Sequence, residues 1–346
     1  MEGVIEQRAA VSRSNFGGIW PSLWVLAVTI VLIGPIMAIG YYTLSVAEAS
    51  SEFLPRFRVP WFAESVIYFH MDYAKNSDEY NDVIFLGSSA VMAGLHTAAF
   101  QQQTGLSAYS FGTVINLGPD GQLEMFKTYL ENHPAPRLLV YVAFPRDVGD
   151  EFIDDVILRG RFSQVYGVDL ETQTQDAPIG VQDYYTEGFW TIYGLIKGGA
   201  VHPYDAPRGG RPTHRETGPS LLQEKGWQQY PQARILNLQY LEELEAFTIS
   251  AWYSQNLLQM AEYARSQGIG FMVYMMPVPK FSVVIDDSPV ISWAADFKSK
   301  FPEADVAGLP IEIYEHQLWG NGFHLNLTGA DVFTQHVGQN VMDYLK

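Results

Sequence analysis

The chain has 346 residues, with 38 acidic against 21 basic side chains, a formal net charge of −17 and no cysteine. That balance excludes the basic stripe that a nucleic-acid surface needs, and the lack of thiols excludes disulfides, thiolate metal sites and a cysteine nucleophile. An acidic, aromatic-rich protein of this length has ample chain for a large core and suits carbohydrate, lipid-ester or protein partners.

No charged residue lies between Ser14 and Ala47, and Ile19 to Tyr42 is almost wholly apolar. At ~1.5 Å per residue this stretch is long enough to cross a hydrocarbon core of ~30 Å. Residues 19–42 are therefore expected to form a transmembrane helix in the lipid bilayer, with Trp20, Trp24, Tyr41 and Tyr42 at its interfaces and Gly34-Pro35 as a kink. Arg8 and Arg13 precede the span and Glu48 and Glu52 follow it, which favours a cytoplasmic tail over residues 1–18. The protein then reads as single-pass in the inner (cytoplasmic) membrane, with its C-terminal part periplasmic or extracellular. Ala47-Glu48-Ala49 has the form of a signal-peptide cleavage site. The apolar stretch exceeds the roughly 7–15 residues of a signal core, so an uncleaved anchor is the expectation.

Residues 43–80 mix Pro55, Pro60, aromatics and charges and read as a stalk with one short helix. The folded domain is expected over 81–346. Val83 to Leu86 is an apolar strand feeding a helix from Ser89 to Gln102; Ala108 to Phe111 is a weaker strand, and Gly121 to Asn132 a helix. Leu138 to Phe144 and Ile269 to Met276 are continuous apolar runs, the pattern of parallel strands buried on both faces. A long helix is expected from Ile235 to Gln267, closed by Gly268, then a helix over Ser292 to Lys300 and a last strand over Ile311 to Tyr314. The final helix runs from Thr328 to Tyr344, with Thr328 and Asp331 read as a capping box. Residues 148–233 lack this regularity and read as an insertion or lid near a functional face. Alternating strands and helices imply an α/β fold with a doubly wound parallel sheet of flavodoxin-like layering.

Ligands bind an open α/β sheet at the carboxyl ends of its strands. Ser88 and Ser89 follow the first strand, Gly112 the second, Pro145, Arg146 and Asp147 the third, and His324 lies in the loop before the last helix. A serine with a histidine to activate it is the requirement for nucleophilic acyl chemistry. His96 lies seven residues after Ser89, too far along one helix for a proton relay, and reads as a packing residue. Glu315 and His316 lack the further ligands that a metal site needs, and no glycine-rich phosphate loop occurs, so neither metal nor cofactor is expected. Asn326-Leu327-Thr328 is formally a glycosylation sequon but reads as structural.

Leu86-Gly87-Ser88-Ser89, Ser110-Phe111-Gly112 and Asn321-Gly322-Phe323-His324-Leu325 together resemble three blocks of the SGNH (GDSL) hydrolase superfamily. The likeness extends to its membrane-anchored branch, which works with envelope acyltransferases in polysaccharide O-acetylation and D-alanylation. It implies Ser89 as nucleophile, His324 as base, Asn321 in the place of the usual aspartate, and the Gly112 and Ser89 amides as the oxyanion hole. Ser88 also replaces an aspartate, and the third-block asparagine has no match at Pro145 and Arg146. Two readings follow. In one the chain is an anchored esterase or O-acyltransferase acting on an envelope glycan or other acyl ester; in the other it is a catalytically silent subunit of a larger membrane protein complex. Asp147 and Asp331 are the carboxylates that would have to replace Asn321.

Overall fold

The computed structural model describes residues 62–113, 117–149, 159–160, 162–163, 166–168, 170, 224–227, 248–280 and 286–346. Residues 1–61, including the expected span 19–42, lie outside the described residues, as does most of the insertion. Among the described residues no helix is long and apolar enough to cross a membrane.

Five parallel strands make the central sheet: β1 (Val83–Gly87), β2 (Ala108–Gly112), β3 (Leu138–Ala143), β4 (Gly270–Met275) and β6 (Asp305–Ala307), in the order β2-β1-β3-β4-β6. Phe85, Val140 and Met272 form a row of register partners across β1, β3 and β4, whose residues are buried on both faces apart from the first of β4. Alternation sends Val83 and Phe85 to one face and Ile84 and Leu86 to the other. The first face is covered by α2 (Ser89–Gly94), α3 (Thr97–Thr104) and α7 (Leu327–Tyr344), through Val91, Phe100, Phe333 and Val337. The second carries α1 (Phe62–Asn76), α4 (Gly118–Asn132), α5 (Ala251–Ser266) and α6 (Ser288–Lys300), through Met71, Phe126, Leu257 and Phe297. This is the doubly wound arrangement expected, and its strand order reverses between β1 and β3, the switch point at which open sheets of this kind bind ligands.

Several elements differ from the sequence reading. The helix expected from Ser89 breaks at Leu95 and His96, because the His96 amide donates to Thr334 Oγ1 of α7 (2.9 Å) instead of continuing the helical ladder. The helix expected from Ile235 has its described start at Ala251, where Ser250 caps it by accepting from the Tyr253 amide; residues 248–250 are not helical. The fifth sheet strand is Asp305–Ala307, a three-residue edge with no apolar run to reveal it, whereas β7 (Ile313–Tyr314) pairs with β5 (Val278–Pro279) in a separate two-stranded sheet. The cap of α7 is Asn326, not a Thr328–Asp331 box: its Oδ1 accepts from Gly329 and its Nδ2 donates to Gln317 O (2.7 Å). The sequon asparagine is thus 5% exposed and engaged on both sides of its amide.

The supposed stalk also needs correction over residues 62–76. Val66, His70, Met71 and Ala74 of α1 are buried, so this helix is part of the folded domain, its apolar stripe having been diluted by His70 and Tyr73. The described pieces of the insertion are likewise built in. Arg159, with no exposed surface, chelates Asp120 at 2.9 and 2.5 Å and donates to Leu117 O, and Trp227 donates to Ala93 O.

Candidate active site

The serine corner is shaped by a glycine. Gly87 ends β1 with φ +151°, and a Cβ there would lie 2.3 Å from Val91 Cγ2 and 2.6 Å from Val142 O. Only glycine tolerates that backbone and that proximity. Ser88 follows in extended conformation, and its hydroxyl accepts from the Ala90 amide at 3.2 Å, capping α2. A cap of this kind contributes about 1 kcal/mol, so Ser88 has a structural task in the place of the aspartate of the resembled block. Ser89, half-buried, is the first helical residue, and its amide has no acceptor among the described residues.

The histidine arrives on a loop that closes on itself. Trp319 and Leu325 form an antiparallel bridge, both fully buried, and the His324 carbonyl accepts from the Gly320 (2.8 Å) and Asn321 (3.2 Å) amides. Asn321 Oδ1 in turn accepts from the Phe323 and His324 amides, each at 2.8 Å. The next residues bond Asn326 to Leu318 O and enter α7, where a Cβ on Gly329 would lie 2.0 Å from the Leu318 carbonyl oxygen. Backbone bonds thus fix the loop before its imidazole is considered.

The two parts meet. Ser89 Oγ lies 2.9 Å from His324 Nε2, although the residues are 235 apart in sequence. On the far side of the ring, His324 Nδ1 lies 3.0 Å from Asn321 Oδ1 and 2.9 Å from Asn321 Nδ2. Two tautomers fit this contact. With the proton on Nδ1 donating to Oδ1, Nε2 is free to accept the serine proton. With Nδ2 donating to Nδ1, the proton sits on Nε2 and the imidazole donates to Ser89 instead. A carboxylate at 321 would admit only the first.

Gly112 is the register partner of Gly87 at the mouth of β2. A Cβ on it would lie 2.5 Å from the Met92 amide nitrogen, so glycine here lets α2 approach the sheet. Its N–H points to Ser110 Oγ at 3.3 Å, a long contact, and its carbonyl accepts from His70 Nε2 at 2.9 Å. Pro145 to Asp147 form a 3-10 turn after β3. The Asp147 charge helps raise the Tyr141 and Tyr253 hydroxyls, after burial, and Asp331 is bonded to His96 Nδ1 at 2.7 Å. His96 is not on the serine's helix; it caps α3 with its ring stacked on Trp227, centroids 4.1 Å apart. Glu315 pairs with Lys280 Nζ (2.6 Å), and His316 bonds the Lys280 carbonyl. No group of His, Asp and Glu among the described residues could hold a metal.

Two buried polar residues at this mouth were not singled out from the sequence. His70, fully buried, has its pKa lowered to about 4 by burial, a shift opposed by its bond to Gly112, and its Nδ1 lies 3.1 Å from Tyr109 OH. Gln122, 1% exposed, donates from Nε2 to the Gly87 carbonyl at 2.9 Å. Each stands within an apolar stripe at helical spacing, Val66-His70-Ala74 and Gln122-Phe126-Tyr129, and a polar residue in such a stripe is the signal that could have revealed it.

No protein-family model and no curated protein matches the chain. Among solved structures it is similar to a proposed platelet activating factor from Streptococcus pneumonia, at TM-score 0.38 and 11% identity over 82% of this chain and 92% of that one. It is also similar to a proposed acylhydrolase from Bacteroides fragilis NCTC 9343, at TM-score 0.33 and 14% identity over 84% of this chain and 99% of that one. At such scores and identities neither likeness bears on activity.

Proposed function

We propose that this chain is a membrane-anchored, extracytoplasmic SGNH-like serine esterase or O-acyltransferase acting on an acyl ester of a cell-envelope polymer. The observation that carries the reading is the 2.9 Å contact between Ser89 Oγ and His324 Nε2, with Asn321 behind the ring. In this reading His324 takes the Ser89 proton as Oγ attacks the acyl carbonyl. The negative oxygen of the tetrahedral intermediate faces the Ser89 amide, whereas the Gly112 N–H is turned to Ser110 Oγ. Collapse expels the alcohol, which takes the proton back from His324 and leaves an acyl-serine. Water or a polymer hydroxyl then attacks that ester, giving its proton to His324; the bond to Ser89 Oγ breaks, Oγ takes the proton back from His324, and the free acid or the transferred ester is released. The anchor rests on the uncharged stretch 19–42 and the envelope polymer on the acidic, outward-facing domain that this orientation implies.

The second reading, a catalytically silent subunit of a membrane complex, is favoured by one feature, the neutral Asn321 in the place of a carboxylate. One experiment separates the two. The full chain, recovered with membranes after high-salt washing, is expected to hydrolyse p-nitrophenyl acetate, with activity abolished by Ser89→Ala and by His324→Ala. A rate indifferent to both substitutions would leave the silent subunit, and recovery of the chain in the soluble fraction would remove the anchor.

A further inference from the structure

We infer that Gln122 and His70 form a paired carbonyl clamp that fixes the two glycine peptides at the catalytic mouth and so positions Ser89 for reaction, an inference that rests on the serine-esterase reading above. Gly87 and Gly112 are partners in register and the last residues of β1 and β2. Each carbonyl receives a side-chain N–H from a different helix of the same layer: Gln122 Nε2 of α4 on Gly87 O and His70 Nε2 of α1 on Gly112 O, both at 2.9 Å. The donors are unambiguous, because a carbonyl only accepts. His70 must therefore carry its proton on Nε2, which leaves Nδ1 to accept from Tyr109 OH.

The sheet does not need the Gln122 bond. The Gly87 carbonyl already accepts from the Thr113 amide at 2.9 Å, so Gln122 is a second donor to a satisfied group. Its own Oε1 is buried without a partner. A leucine would fill the same space without that orphan acceptor, which makes the glutamine unfavourable for packing and points to a task at Gly87. The carbonyl of Gly87 and the amide of Ser88 share one rigid peptide plane. Rotation of that plane about a glycine with no side chain would move the Ser88 cap and Ser89 Oγ together, while His324 stays fixed by its own loop. Gln122 and His70 are positioning residues, since neither touches the reacting atoms.

The test uses the full chain, a fluorophosphonate probe that phosphonylates activated serines, and steady-state kinetics on p-nitrophenyl acetate. Gln122→Leu is expected to lower the labelling rate of Ser89 and kcat by about 10- to 100-fold with KM unchanged, the scale at which small misplacements act. Its melting temperature should stay equal or rise. His70→Leu should slow labelling similarly, and His70→Gln, which keeps an N–H for the Gly112 carbonyl, should recover most of the rate. If His70→Leu does not fold, Gln122→Leu decides alone. Wild-type labelling rates in Gln122→Leu, or an effect confined to KM, would overturn the clamp while leaving the esterase standing. His70→Gln as slow as a folded His70→Leu would do the same. A wild-type chain not labelled at Ser89 would overturn the esterase reading, and the clamp with it.

Discussion

Two histidines of this protein sit against side-chain partners at short range, and each has what the other lacks. His324 has a serine hydroxyl at 2.9 Å but only an amide, Asn321, behind its ring. His96 has a carboxylate, Asp331, at 2.7 Å, but its ring faces Trp227. The difference is one of task. A carboxylate behind a base stabilises the imidazolium that forms when a proton is taken, whereas the His96–Asp331 pair joins the α2–α3 break to α7 and needs no change of charge. Counting histidines and aspartates would have found both parts of a triad in this chain without revealing that they belong to different histidines.

The largest effect is expected from giving His324 the partner that His96 has. Asn321→Asp is expected to raise kcat on p-nitrophenyl acetate by roughly 10²-fold or more, since the reverse change in a serine-protease triad lowers turnover by ~10⁴. The carboxylate keeps the acceptor that holds the Phe323 and His324 amides and removes the Nδ2 donor, so only the tautomer with a free Nε2 survives. An unchanged rate would show that proton transfer at His324 does not limit turnover, and the contrast drawn between the two histidines would lose its chemical meaning.

A third histidine extends the comparison to one that must stay neutral. His70 has its folded pKa lowered to about 4, mainly by burial, against 6.5 for an ordinary histidine. Between those values the unfolded chain binds a proton that the folded chain does not. The contribution is therefore fully present above about pH 6.5 and is lost as pH falls toward 4, by about 3 kcal/mol in all. Denaturant unfolding at pH 7 and pH 4.5 is expected to show a smaller acid loss in His70→Gln than in the wild type, a difference that cancels the carboxylates common to both chains. Equal losses would mean that His70 is already charged or already exposed.

What the sequence revealed and what it hid follow from how local each signal is. β1, β3 and β4 were legible because strands buried on both faces are apolar without interruption, and Ser89 and His324 were legible because a serine just past a strand end and a histidine just before the last helix stand where such a sheet gathers its site. The Leu95–His96 break was hidden because its cause, Thr334, is on the last helix. β6 was hidden because three residues opening with an aspartate carry no pattern. His70 and Gln122 mark themselves as polar residues in apolar stripes, but what they bond was hidden because their partners are backbone carbonyls, which leave no mark in sequence. The choice between tautomers at His324 lies beyond residue type altogether, since it depends on which side of one amide meets Nδ1.

The smallest effect is expected at His96. Asp331→Asn makes the same change at His96 that the chain already carries at His324. Asp331 is 44% exposed and the His96 side chain 21%, so the pair is largely screened by solvent. Pairs of this kind contribute ~0.2–1 kcal/mol. The asparagine keeps an oxygen that can accept from Nδ1–H, and Trp227 still covers the ring, so the loss should fall at or below the low end of that range. Thermal unfolding is therefore expected to shift by no more than a few degrees, and hydrolysis by Ser89 to stay at the wild-type rate. A rate lowered as much as by removing a carboxylate from a working triad would mean that His96 acts on the proton path. The two histidines would then be parts of one relay, and their separation into a chemical and a structural site would fail.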